Sequence, residues 1–181
     1  MTQTPPHLTV NDIQLNLFPL NFSGTAMSDR VLENSGVGIV YEAERVHRIV
    51  DNRKYKWGGK TLEGFDCSGF VAHVLGNLFP EKKVMFQTNV QGFIGSELFE
   101  TVDNPRPGDI VIFPATGSFV NHIGIVVDQE RWIGSQSSTG VEYVRFSNGF
   151  WGKREHYFRR LKTHSTQSVS IYLKNVGSTY A

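Results

Sequence analysis

Gly64-Phe65-Asp66-Cys67-Ser68-Gly69-Phe70-Val71-Ala72-His73-Val74-Leu75-Gly76-Asn77-Leu78 is the stretch that decides the fold. Phe70, Val71, Val74, Leu75 and Leu78 recur at three- and four-residue steps, which line one face of a helix. Cys67 falls at the first turn of that helix and is the only cysteine of the chain. A lone thiol makes no intramolecular disulfide and builds no cysteine zinc site, so it is either a buried inert residue or a nucleophile. The helix start favours the nucleophile. Unpartnered backbone N–H groups and the positive end of the helix dipole stabilise a thiolate there, which predicts a lowered thiol pKa.

A nucleophilic cysteine usually works with a base. Of the six histidines, His122 has the most informative surroundings. It opens His-Ile-Gly-Ile-Val-Val, a β-branched run that reads as a buried strand, and a strand can hold an imidazole rigidly. Its alternative reading is a satisfied core histidine. His73 lies six residues beyond Cys67 on the same helix and is turned away from it. Ahead of His122, Pro107-Gly108-Asp109 is a turn and Ile110-Val111-Ile112-Phe113 a short strand. Behind it, Arg131–Gln136, Val141–Phe146 and Tyr157–Leu161 read as further strands. Ser28–Asn34 and Val40–Val50 read as helices separated by Gly36 and Gly38. Thr88–Leu98 is a weaker helical stretch that can form part of a cleft wall. Expected core residues include Phe70, Val74, Ile110, Ile112, Ile123, Ile125 and Ile133.

Four blocks in order now carry a resemblance: Tyr55-Lys-Trp-Gly-Gly59, Gly64-Phe-Asp-Cys-Ser-Gly-Phe70, Pro107-Gly-Asp-Ile-Val-Ile-Phe113 and His122-Ile-Gly-Ile-Val126. Over about residues 40 to 161 the chain resembles the NlpC/P60 family of papain-like cysteine peptidases, which act on bacterial cell-wall peptides. The resemblance implies an α+β, papain-like fold. The nucleophile helix would pack on an antiparallel sheet of about five strands. It implies Cys67 as nucleophile, His122 as general base, and Tyr55, Asp66 and Ser68 as substrate-binding residues. Asp66 and Ser68 are also good helix caps, and the two roles are compatible. The family's third catalytic residue, often a histidine, aligns with Gly134, which has no side chain. Gln136, two residues on, points to the same face of a strand and is the nearest polar side chain able to orient the imidazole. Its alternative is a place in the turn that follows. The Gly58-Gly59 pair reads as backbone clearance for substrate.

Composition sets the remaining expectations. A length of 181 residues suits one domain with a full core, and a net charge of +1 gives no argument for nucleic acid. The apolar runs are too short for a membrane span. There is no His-Glu-x-x-His, no cysteine pair and no phosphate-cradling glycine loop, so neither a metal nor a cofactor is expected. Residues 1–27 read as an N-terminal arm, 28–164 as the catalytic domain and 165–181 as a C-terminal strand or tail. Met1 to Pro6 has no basic residue and no apolar segment follows, so no secretory signal is read. The expected partner is a peptidoglycan stem peptide. The expected setting is an antibacterial effector injected by a non-classical route and acting in the target-cell periplasm, with an immunity protein as a further partner. A phage-associated lysin and a non-catalytic binding module of the same fold are the alternatives.

Overall fold

The computed structural model describes residues 35–50 and 54–162. The expected arm, the Ser28–Asn34 helix and the C-terminal strand or tail lie outside the described residues. Helix α1 (Ser35–Ile49) comes first, then a minimal hairpin, β1 (Lys60–Thr61) and β2 (Gly64–Phe65). Helix α2 (Cys67–Leu78) follows, then two short helices, α3 (Lys83–Phe86) and α4 (Val90–Gly95). Six strands complete the order: β3 (Phe99–Val102), β4 (Ile110–Phe113), β5 (His122–Val126), β6 (Arg131–Gln136), β7 (Gly140–Arg145) and β8 (Tyr157–Leu161). They form one sheet in the order β3-β8-β4-β5-β6-β7, antiparallel at every pairing.

Helix α2 is buried almost all round, between α1 on one side and β5 and β6 on the other. Its apolar face packs against Ile110, Ile112, Ile123, Ile125 and Ile133, and every expected core residue is buried there. The register explains this. Ile110 pairs with Ile125 and Ile112 with Ile123, and Ile125 pairs with Ile133, so all five share one face of the sheet. The alternate residues Val111, Phe113, Val126 and Trp132 build a second apolar cluster on the other face.

One expectation is corrected. Gly36 and Gly38 do not separate helices, because α1 runs through both. A Cβ on Gly108, in the Pro107-Gly108-Asp109 turn, would lie 2.4 Å from the Gly36 backbone, so Gly36 marks a close backbone crossing. The six-stranded sheet fits the expected antiparallel sheet of about five, with β3 the strand not placed from sequence. Strand β3 escapes the sequence because it is a short edge strand without clean alternation, exposed in its middle. The Pro-Gly-Asp block itself is structural. Gly108 has a positive φ of 89°, and buried Asp109 receives the Arg160 fork at 2.9 and 2.8 Å.

Candidate active site

Asp66 starts helix α2. Its backbone is extended, and its carboxylate accepts from Gly69 N (2.6 Å), Ser68 Oγ (3.0 Å) and Gly58 N (3.0 Å). A carboxylate offers about four acceptor positions, so capping leaves room for one further donor. Ser68, expected beside it as a substrate contact, is buried and spends its hydroxyl on Asp66. The loop before β1 is tied to the same turn. Gly59 O accepts from Asp66 N at 3.0 Å, Lys56 N donates to Phe65 O at 3.1 Å, and Tyr55 bridges to Phe65. A Cβ on Gly69 would sit 1.9 Å from Gly59 O. The missing side chain at Gly69 thus clears the Gly59 carbonyl, while a Cβ on Gly59 would meet the backbone oxygens of Gly64 and Lys56, so at Gly59 the clearance serves the loop and hairpin backbone.

Cys67 and His122 open onto one cleft of about 1260 Å³, together with Tyr55, Asp66 and Gln136. Asn89, Val90 and Gln91 of the α4 region also line it, as expected of a cleft wall. Cys67 is 8% exposed, and the backbone N–H of Ile123, the residue after His122, favours its thiolate form. That contact fixes the helix start against the start of β5.

The thiol nevertheless departs from expectation. Burial, then the neighbouring Asp66 carboxylate, pushes its pKa up to about 11, although the N–H groups of Ile123, Ser68 and Cys67 act the other way. The helix start helps the thiolate, but desolvation outweighs it. His122 is shifted in the opposite sense, down to about 3, by burial alone. The resting pair is thus a neutral thiol and a neutral imidazole. Tyr55 is pushed up to about 12 by burial, Cys67 and Asp66, so its hydroxyl keeps its proton and remains a donor.

Gln136 ends β6. The β5–β6 register pairs Val126 with Trp132 and Ile125 with Ile133, and carried forward it sets Gly124 opposite Gly134 and His122 opposite Gln136. Gln136 is buried; its Oε1 accepts from Thr139 Oγ1 at 3.0 Å, while its Nε2 and His122 Nε2 are both buried without a partner among the described residues. Turning the amide over would let Nε2 donate to Thr139 and free Oε1 to accept the imidazole N–H.

Three aromatic rings surround His122, and the sequence reading picked out none of them. Trp151 lies over the imidazole at a tilt of 32°, with ring centroids 4.5 Å apart. Trp132 meets it edge-on at 5.6 Å and Phe113 lies 6.3 Å away. The one available signal was Phe150-Trp151 within the turn-rich Asn148 to Gly152 stretch, where two large aromatics have no strand or helix to serve.

A cysteine at the N-terminal end of a buried helix, set against a histidine that opens a strand of an antiparallel sheet, defines a papain-like α+β protein. A model of the NlpC/P60 family matches residues 52–160, and the chain belongs to that family. It is 34% identical over 100 residues to the probable peptidoglycan endopeptidase LytE of Bacillus subtilis (strain 168), covering 55% of this chain and 28% of the relative. It is 32% identical over 112 residues to the murein DD-endopeptidase MepS/murein LD-carboxypeptidase of Escherichia coli (strain K12), covering 62% of this chain and 57% of the relative. The chain thus spans only part of these relatives' length. Among solved structures, the NlpC/p60 domain of the peptidoglycan hydrolase SagA matches with a TM-score of 0.52 at 24% identity, over 71% of this chain and 98% of that one. An NLP/P60 family protein of Staphylococcus aureus subsp. aureus Mu50 matches with a TM-score of 0.53 at 19% identity, over 80% and 46%. These two likenesses show the fold.

Proposed function

We propose that the protein hydrolyses an amide bond in peptidoglycan stem peptides through a cysteine–histidine mechanism. The observation that carries this reading is the opening of Cys67 and His122 onto one cleft, in a chain of a family whose relatives are named for peptidoglycan cleavage.

Cys67 Sγ attacks the amide carbonyl carbon as its proton passes to His122, so charge separates only when substrate has excluded water. Backbone N–H groups at the start of α2 and the Tyr55 hydroxyl hold the oxyanion. The imidazolium gives its proton to the leaving amine, which departs and leaves a thioester. His122 then takes a proton from water, hydroxide attacks the thioester carbon, and the sulfur regains its proton as the carboxylate leaves. Gln136 orients the imidazole by accepting its N–H. The open acceptor position of Asp66 receives a free amine of the stem peptide.

Mass spectrometry of muropeptides from digested peptidoglycan tests this and assigns the bond. Wild type should release products, and Cys67→Ala should abolish release. Full turnover by Cys67→Ala would sink the mechanism. Retention on the wall with no products would favour the binding-module reading, whose support is the side chain missing at Gly134. Because a wall substrate lies outside the cytoplasm, we also propose delivery into the periplasm of a target cell. Expression directed to the periplasm should then lyse cells in a Cys67-dependent way, and cytoplasmic expression should not.

A further inference from the structure

Gly134, the position that the resemblance aligns with the family's third catalytic residue, has no side chain, and the space over it is filled. A Cβ on Gly124 would lie 2.3 Å from Trp132 Cε3, and a Cβ on Gly134 would lie 3.0 Å from Trp132 Cζ3. The indole of Trp132 therefore lies across both glycines. It meets the imidazole edge-on, and Trp151 meets Trp132 at 89° and 5.2 Å. That arrangement leaves one face of the imidazole to Trp151.

Trp151 belongs to no strand or helix, so something else must hold it. The Arg154 guanidinium does so. It lies 3.5 Å from the Phe150 ring centroid, 4.4 Å from that of Phe119 and 5.9 Å from that of Trp151, and it donates to Phe150 O. One cation thus clamps the loop carrying Trp151 to the loop carrying Phe119.

We propose that Trp151 is a positioning residue of His122: its indole fixes the plane of the ring and stabilises the imidazolium that forms when Cys67 gives up its proton. The chemistry fits the site. The imidazolium forms in a buried, largely aromatic surrounding with no carboxylate acting on it among the described residues, and burial alone disfavours its charge. A π-face held this close is the interaction that offsets this, and it is stronger when desolvated. Gln136 acts on the edge of the ring and Trp151 on its face, so the two roles are separate.

This inference rests on the Cys67–His122 reading. Trp151→Phe keeps a π-face, whereas Trp151→Leu keeps apolar bulk and removes it. On muropeptides, Trp151→Leu should lower kcat about tenfold or more with KM within about twofold, and Trp151→Phe should stay within about threefold of wild type. A second readout needs no turnover: iodoacetamide alkylation of Cys67 at pH 7 should slow in Trp151→Leu and hold in Trp151→Phe. It separates failure of this inference from failure of the peptidase reading. Equal behaviour of the two variants in both readouts, or a loss carried by KM, would overturn the proposal.

Discussion

Asp66 carries two demands on one carboxylate. It caps α2 through two hydrogen bonds and holds the Gly58 loop through a third, and its charge raises the pKa of the adjacent thiol. Asp66→Asn separates them. The amide oxygen still accepts from Ser68 and Gly69, and the exposed Gly58 N–H turns to water, so the cost should be about 1 kcal/mol in urea denaturation. The lost charge should lower the thiol pKa and speed alkylation several-fold at pH 8. For a stem peptide with a free amine, KM should rise at the same time. Slower alkylation would show that the carboxylate does not disfavour the thiolate. Asp66 was legible at this scale, since a capping residue beside a helix-start cysteine is a local pattern. The direction of the thiol shift was not. The helix dipole can be read from a segment, but the desolvation that outweighs it comes from elements far away in the chain.

Helix α2 and the loop before β1 meet at two glycines. Gly69→Ala would put a Cβ 1.9 Å from Gly59 O, a backbone atom held by Asp66 N. It should cost about 3 kcal/mol or more, read as a fall in melting temperature. Gly95→Ala is the control: nothing lies within 4 Å of its Cβ and it ends α4, so stability should hold or rise by about 0.5 kcal/mol. An unchanged melting temperature in Gly69→Ala would mean that the loop and the helix are not in close contact. The same physics bears on Gly36. In sequence Gly36 and Gly38 look like a helix break, but α1 runs through both, and the Gly36 backbone passes so close to Gly108 that a Cβ on Gly108 would not fit. Conversely, α2 was legible from its helical period, and β4, β5, β6 and β8 from short apolar or aromatic runs set between turns. Strand β3 was not, because its place is set by pairing with β8 rather than by its own pattern.

The whole molecule holds its reactive pair at a cost in stability at both ends of the pH range. Native His122 stays neutral down to about pH 3, whereas in the unfolded chain it protonates near its ordinary value. Between those two values the unfolded state binds the extra proton, so stability falls as pH falls, by at most about 1.4 kcal/mol per pH unit. Cys67 works in the other direction. Its native thiol keeps its proton up to about pH 11, while the unfolded thiol loses it earlier, so stability falls as pH rises through that interval. Urea midpoints measured from pH 4 to 10 should show both slopes. His122→Gln should flatten the acid side and Cys67→Ala the alkaline side, and an unchanged acid slope in His122→Gln would refute the buried neutral imidazole.

By itself the sequence determined the nucleophile helix, the strand that opens with His122, the α+β class and the family, because each rests on residues that are neighbours in the chain or a fixed period apart. Tertiary structure alone decided what surrounds the pair. Trp151 lies over His122 across 29 positions of chain, Trp132 covers Gly124 and Gly134, and Arg154 ties together loops with no periodicity to read. Local patterns encode which segments fold into helices and strands. The protonation of the cysteine and histidine depends on how much water is excluded around them, and that is a property of the packed whole.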